Sequence, residues 1–197
     1  MNPTLKIAVA DDEIDMREYL QKILPVLGHM VVSTAATGKE LLDNCHRHPP
    51  DLVITDIKMP EMDGIEAAVE LYKIHPVPVI LVSAYHDREL IERAEADHVM
   101  AYLVKPIKQA DLEPAIALAM HRFSQFQALR KETIDLRQAL ADRKVIERAK
   151  GILMTRANLN EPDSFRRLQK LASEKNKKLV EIATMIVTAE EAMGGVP

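Results

Sequence analysis

Five short apolar runs recur about every 20 to 25 residues through the front of the chain: LKIAVA (5–10), MVVSTA (30–35), DLVITD (51–56), VPVILVSA (77–84) and AYLVKP (101–106). A strand with one face in water alternates apolar and polar residues. These runs are apolar at nearly every position, so they belong to strands covered on both faces. Helical periodicity fills the gaps near 13–27, 38–47, 64–75 and 87–96. The alternation predicts an α/β fold, a (βα)5 doubly wound parallel sheet between helical layers.

The pattern changes after about residue 109. No further strand follows, and neither Gly nor Pro occurs from Ala115 through Lys150, which predicts one long helix. Within it Phe126, Leu129, Thr133, Leu136 and Leu140 are spaced alternately by three and four, the signature of a short coiled-coil seam and hence of a homodimer. Packing of the same stripe on its own chain is the competing reading. The tail resolves into three helices. The first, about 143–155, turns Val145, Ile146, Ala149, Ile152 and Leu153 to one side. The second, capped by Asn160, turns in Phe165, Leu168, Leu171 and Ala172. The third, after a break at Asn176, turns in Leu179, Ile182, Ala183, Ile186 and Val187. The expected organisation is an α/β domain over 1–122, a helical linker over 123–142 and a small three-helix all-α domain over 143–197.

Charge divides the same way. Residues 1–122 hold twelve Lys and Arg against twenty Asp and Glu, whereas residues 143–197 hold eleven against seven. An acidic front and a basic tail suggest an anionic partner for the tail. The single cysteine, Cys45, excludes an internal disulfide and a cysteine-rich zinc module. No apolar run approaches the roughly 18 residues of a membrane helix, and the N-terminus lacks a signal-peptide pattern, so the expected compartment is the cytoplasm, with no membrane partner.

In an open parallel sheet, ligands collect at the carboxyl ends of the strands. The first run ends in Asp11, Asp12 and Glu13, the third in Asp56, the fourth in Ser83, and the fifth in Lys105 followed by Pro106. Carboxylates gathered there repel one another, and a hard divalent cation with oxygen ligands, Mg2+ in particular, neutralises them. A cation beside Asp56 makes its carboxylate usable as a nucleophile toward a phosphoryl group. Lys105 adds a positive contact to that group, and Ser83 a hydroxyl donor.

ADD, LVITDIKMPEMDG, LVSA and YLVKP, in this order and spacing, resemble the receiver domain of two-component response regulators, whose sheet is flavodoxin-like, over residues 1 to about 122. The resemblance implies phosphorylation of Asp56 by a sensor histidine kinase. It implies Mg2+ held by Asp12, Asp56 and the backbone carbonyl of Lys58, with Asp11 assisting through water. It also implies a cis Lys105–Pro106 bond and reorientation of Ser83 and Tyr102 on phosphorylation. Two departures bear on the lifetime of the phosphoryl group: the glycine usual shortly before this aromatic is missing from ADHVMAYLVKP, and Lys58 and Tyr85 occupy positions that tune dephosphorylation.

The tail has no phosphate loop, metal cluster or catalytic set, which leaves a binding module and no enzymatic output. Its turn TRANLNEPD is long for a helix-turn-helix, and no Arg/Asn/Gln-rich recognition helix follows. IERAKGILM, SFRRLQKLA and NKKLVEIA resemble the ANTAR domain, the RNA-binding output of transcription antitermination regulators, over about residues 143–190, with Ser164 where the family usually has alanine. The resemblance implies dimers that bind RNA stem-loops. At 100° per residue, Lys150, Gly151 and Met154 fall opposite the core stripe, as an outer face. An interior helix glycine costs about 1 kcal/mol against alanine, so close approach by a partner such as a flipped base is one reason to have it there. Arg148, Lys150, Arg156, Lys177 and Lys178 are the candidate phosphate contacts. A tail that binds a protein partner or duplex DNA is the alternative.

Overall fold

The computed structural model describes residues 3–83 and 99–194; the helix expected at 87–96 and Tyr85 lie outside the described residues. The chain divides into two compact units, Met1–Gln127 and Ala128–Pro197, so the division falls inside the stretch read as a linker.

The first unit carries five strands: β1 (Lys6–Ala10), β2 (Met30–Ala35), β3 (Leu52–Asp56), β4 (Val79–Ser83) and β5 (Val99–Val104). All neighbouring pairs are parallel and the order is β2-β1-β3-β4-β5. Helices α1 (Ile14–Val26), α2 (Gly38–Arg47), α3 (Gly64–Ile74) and the start of α4 (Gln109–Arg156) cover the sheet. Successive side chains of the central strands feed two separate cores. Ile7, Val9, Leu52, Ile54, Ile80 and Val82 pack with Leu20, Leu24, Leu112 and Ile116. Ala8, Ala10, Val53, Val79 and Leu81 pack with Leu41, Ile65, Ala68 and Leu71 on the other face. Two-sided burial is the reason those runs carry no polar alternation. The edge strands depart from the expectation: β2 is mostly half-buried and β5 ends exposed at Val104, because an edge strand has a neighbour on one side only.

Caps fix where the helices begin. Thr37 accepts the Glu40 N–H at 3.1 Å, and Asp63 with Glu66 forms a reciprocal capping box. Cys45 is buried, and that burial pushes its thiol up to about 12, so it behaves as a small core residue.

In the second unit the last turns of α4 pack with α5 (Glu161–Lys175) and α6 (Leu179–Gly194). Ala149, Leu168, Ile182, Ala183 and Val187 form the buried centre, flanked by Val145, Ile146, Ile152, Leu153, Leu171, Ala172, Leu179 and Ile186. Asn160 caps α5 by accepting the Asp163 N–H at 2.9 Å, and Asn176 ends it in the left-handed region at φ 50°.

Three expectations for side chains are corrected. Phe165 is 37% exposed, and Ser164 is fully buried in its stead; Ser164, Leu168, Leu171 and Ala172 form the stripe, and Phe165 lies one residue, about 100°, away from it. Phe126 does not lie open along the seam. It is half-buried, with its ring edge-on to Tyr72 at 6.2 Å and 63° within the first unit. Leu129, Leu136 and Leu140 do stand open, each close to 60% exposed, with Thr133 exposed beside them. Lys150 is 8% exposed and does not lie on an outer face. Its ammonium reaches Glu161 at the start of α5 at 2.8 Å and Glu147 at 2.9 Å.

Candidate functional site

The strand order reverses at β1, which has β2 on one side and β3 on the other. The crossovers leaving β1 and β3 therefore run to opposite faces and open a crevice at the carboxyl ends of these two strands. Asp11 follows β1 directly and Asp56 is the last residue of β3. Both are buried, at 1% and 7% exposure, while Asp12 faces solvent. One carboxylate oxygen from each of the three lies within 4.8 Å of the others.

Lys105, directly after β5, reaches into this group. Its Nζ lies 2.8 Å from Glu13 Oε1, 3.1 Å from Asp11 Oδ2 and 3.6 Å from Asp56 Oδ1. The peptide bond to Pro106 is cis. Burial works against the lysine charge, but the contacts to Glu13 and Asp11 and the attraction of Asp56 outweigh it and hold Lys105 protonated beyond the usual lysine range. The Glu13 carboxyl is correspondingly held below its ordinary value, first through the hydrogen bond from Lys105.

Asp56 goes the other way. Burial raises its carboxyl to about 6, opposed by Lys105, reinforced by Asp11 and Asp12, and opposed by the Ile57 backbone N–H. One deep carboxylate oxygen, Asp11 Oδ2, accepts no well-aligned hydrogen bond, although the Lys105 ammonium is at ion-pair distance. An incompletely satisfied buried oxygen, in a set of oxygen donors carrying more negative than positive charge, is chemistry that fits a small hard cation. Receiver domains generally bind Mg2+ at such an acidic pocket.

The supporting residues are less visible in sequence. Arg17 donates from one Nη to the carbonyl oxygens of Asp11 at 2.6 Å and Asp12 at 3.0 Å, bracing the loop that presents both acids. Thr55 Oγ1 donates to the Asp56 carbonyl at 3.0 Å. Gly64 opens α3 with its N–H on the Ile57 carbonyl at 2.9 Å, and a Cβ there would collide with the Asp56 backbone oxygen. The glycine of the quoted motif marks this close approach.

Ser83 is 3% exposed at the end of β4, and its carbonyl accepts the Lys105 N–H at 3.0 Å. Tyr102, on β5, is half-buried against the α2/α3-side core. The Lys58 side chain is exposed in the loop after β3. These six positions, Asp11, Asp12, Asp56, Lys58, Ser83 and Lys105, come from the ends of β1, β3, β4 and β5.

In the second unit the candidate residues are dispersed. Arg148 pairs with Glu191 at 2.7 Å, and Arg156 places Nε and Nη2 on Glu190, the shorter contact being 2.8 Å. Lys150 is buried between Glu147 and Glu161, and the hydrogen bond to Glu161, then that to Glu147, raises it above the ordinary lysine value. Lys177 and Lys178 are exposed. Gly151 is exposed, and a Cβ on it would meet nothing within 4 Å, so core packing does not require a glycine there. Met154 is 38% exposed.

Comparison with known proteins identifies both units. Residues 7–117 match the response regulator receiver domain and residues 135–187 match the ANTAR domain. The transcriptional regulatory protein PdtaR of Mycobacterium tuberculosis is 39% identical over 182 residues, 92% of this chain and 89% of that protein. The transcriptional regulatory protein HptR of Staphylococcus aureus is 36% identical over 110 residues, 55% of this chain and 43% of HptR. Among solved structures, a response regulator receiver domain protein from Clostridium thermocellum aligns with a TM-score of 0.56 at 32% identity, over 61% of this chain and 98% of that one. The response regulator domain of Thermotoga maritima CheB aligns with a TM-score of 0.56 at 27% identity, over 60% and 98%. The chain belongs to the two-component response regulators, with an N-terminal receiver domain followed by an ANTAR domain.

Proposed function

We propose that this signalling regulator is phosphorylated on Asp56 by a sensor histidine kinase and, so controlled, binds RNA stem-loops and acts in transcription antitermination. The observation that carries the reading is the buried Asp56 carboxylate set between Asp11, Asp12 and Lys105 in a chain whose other unit is an ANTAR domain. An Asp56 oxygen attacks the phosphorus of the kinase phosphohistidine; the new P–O bond forms as the P–N bond breaks, and the imidazole leaves with the electron pair. Asp11, Asp12, Asp56 and the Lys58 carbonyl are the groups to hold Mg2+, which when bound offsets the charge on the transferring oxygens. Lys105 exchanges Glu13 for a phosphoryl oxygen, and the Ser83 hydroxyl donates to another. Ser83 and Tyr102 then carry the change outward.

Pairing of two copies along Leu129, Thr133, Leu136 and Leu140 buries leucines that are otherwise open to water. Two tails joined in this way bind two stem-loops at raised effective concentration.

The Gly151 face tests the RNA reading. Gly151→Leu is expected to keep the helical circular dichroism and thermal midpoint, because the site is open and a helix glycine is replaced. Hairpin-RNA affinity is expected to fall at least about tenfold, roughly 1.4 kcal/mol. Unchanged RNA affinity in a folded variant contradicts a role for this face. Stronger binding of duplex DNA than of hairpin RNA by the wild-type chain replaces the RNA reading with a DNA one, and affinity for RNA no better than that of a basic peptide replaces it with a protein partner.

A further inference from the structure

The three-helix unit is electrostatically polar in a way its net charge hides. Short connections at 157–160 and 176–178 make α4, α5 and α6 antiparallel neighbours. The two ends of the bundle are therefore assembled from different parts of the sequence. At one end the last turns of α4 meet the start of α5 and the end of α6, and each cation of α4 facing them is already matched: Arg148 by Glu191, Lys150 by Glu147 and Glu161, Arg156 by Glu190. Arg166, on α5, is matched by Asp163 in its own first turn. At the other end α5 stops and α6 begins. There the left-handed Asn176 turns the chain sharply and presents Lys175, Lys177 and Lys178 around an open cleft of about 350 Å3 lined by Ala172, Ser173 and Asn176 as well as two of these lysines.

None of Lys175, Lys177 and Lys178 has an ion pair among the described residues. The acids nearby are in use: Glu174 lies 3.8 Å from Lys170, and Glu181 accepts the Lys178 backbone N–H at 2.7 Å. Arg143 and Lys144 on α4 are exposed as well. Along α5, Glu161, which holds Lys150, and Lys175 are the first and last residues, roughly 21 Å apart at 1.5 Å per residue.

We propose that the turn end is the surface that grips the RNA backbone: Lys175, Lys177 and Lys178 contact its phosphates, while Arg148, Lys150 and Arg156 stay paired with carboxylates of their own bundle. This rests on the RNA reading above and assigns the contacts within it. A phosphodiester chain fits this end because it carries acceptors without donors, a regular anionic spacing, and no requirement for a preformed acidic partner to be displaced. At the opposite end an incoming phosphate has to compete with a carboxylate already in place for every α4 cation.

The test measures a hairpin RNA binding to the full chain, with Mg2+ and acetyl phosphate present, as a function of salt. The variant K175Q/K177Q/K178Q is compared with R148Q/R156Q. Counterion release gives a slope of about 0.7 to 0.9 per phosphate contact in log K against log salt. The triple lysine variant is expected to lose about 30-fold or more in affinity and about two units of slope, with its helical content unchanged. The arginine variant is expected to stay within about threefold of wild type at unchanged slope, with a lower thermal midpoint. The opposite ranking, or equal losses from both, overturns the assignment. A wild-type chain that binds no hairpin RNA overturns the RNA reading before either variant is compared.

Discussion

Asp56→Asn is expected to abolish phosphoryl uptake from acetyl phosphate, read as incorporation of labelled phosphate, while making the metal-free chain more stable. The amide has no oxygen nucleophile of carboxylate strength, so the first effect is complete. The second follows from the pocket. Asp56 is 7% exposed, and burial with the charges of Asp11 and Asp12 raises its carboxyl from 3.8 to about 6. A carboxyl whose folded value lies above its unfolded value binds protons more tightly when folded, so its contribution favours unfolding increasingly as the pH rises above 3.8, and in full once the pH exceeds about 6. Stability from this group is regained as the pH falls through about 6 toward the unfolded value. At about 1.4 kcal/mol per unit the cost of the ionised group at neutral pH is on the order of 2 to 3 kcal/mol, and the uncharged amide removes it. In chelator, the wild-type melting temperature should rise between pH 7 and 5 relative to that of the Asp56→Asn chain. Equal melting temperatures for the two proteins in chelator at pH 7 contradict this electrostatic account of the pocket.

Among the described glycines, Gly64→Ala is expected to carry the largest structural penalty. Gly64 is needed for proximity, because its Cβ position is occupied by the Asp56 carbonyl oxygen, with Thr55 Oγ1 only 3.1 Å away. The neighbours are backbone and a short side chain at the end of a central strand, so little can move aside. Overpacking of this kind costs typically 1 to 3 kcal/mol and occasionally more, and the upper end, about 3 kcal/mol, is expected here. The displacement falls on the strand that ends in Asp56, so phosphoryl uptake by the folded fraction is expected to drop too. A Gly64→Ala chain with wild-type melting temperature and uptake contradicts the packing described.

Much of this molecule is legible in the amino-acid sequence, for reasons that particular residues make clear. β1 and β3 stand out as LKIAVA and DLVITD because both their faces are covered, with Ile7, Val9 and Ile54 on one side and Ala8, Ala10 and Val53 on the other. The acids stand out because a charge directly after such a run has nowhere to go but the strand end. What stays hidden depends on partners distant in sequence or on side-chain reach. Glu13 is visible among the acids after β1, but its hold on Lys105, 92 residues away, leaves no periodic trace. Helical angle alone puts Lys150 in water, yet its four-carbon stem carries the ammonium to Glu161 on the next helix. Phe126 fits the seam by spacing, but Tyr72 from α3 meets it first. Size favours Phe165 for the core over Ser164, a small residue that fits where α5 packs closely and whose hydroxyl is satisfied by the Glu161 carbonyl at 2.7 Å.

The central claim is that the Asp56 phosphoryl group governs the tail. It is tested most directly by titrating one hairpin RNA with the full chain in Mg2+, with and without acetyl phosphate, beside the Asp56→Asn variant under both conditions. Phosphorylation is expected to tighten binding of the wild-type chain at least about tenfold, a coupling of roughly 1.4 kcal/mol, and to leave Asp56→Asn unchanged. Equal RNA affinity of the phosphorylated and unphosphorylated wild-type chain contradicts it.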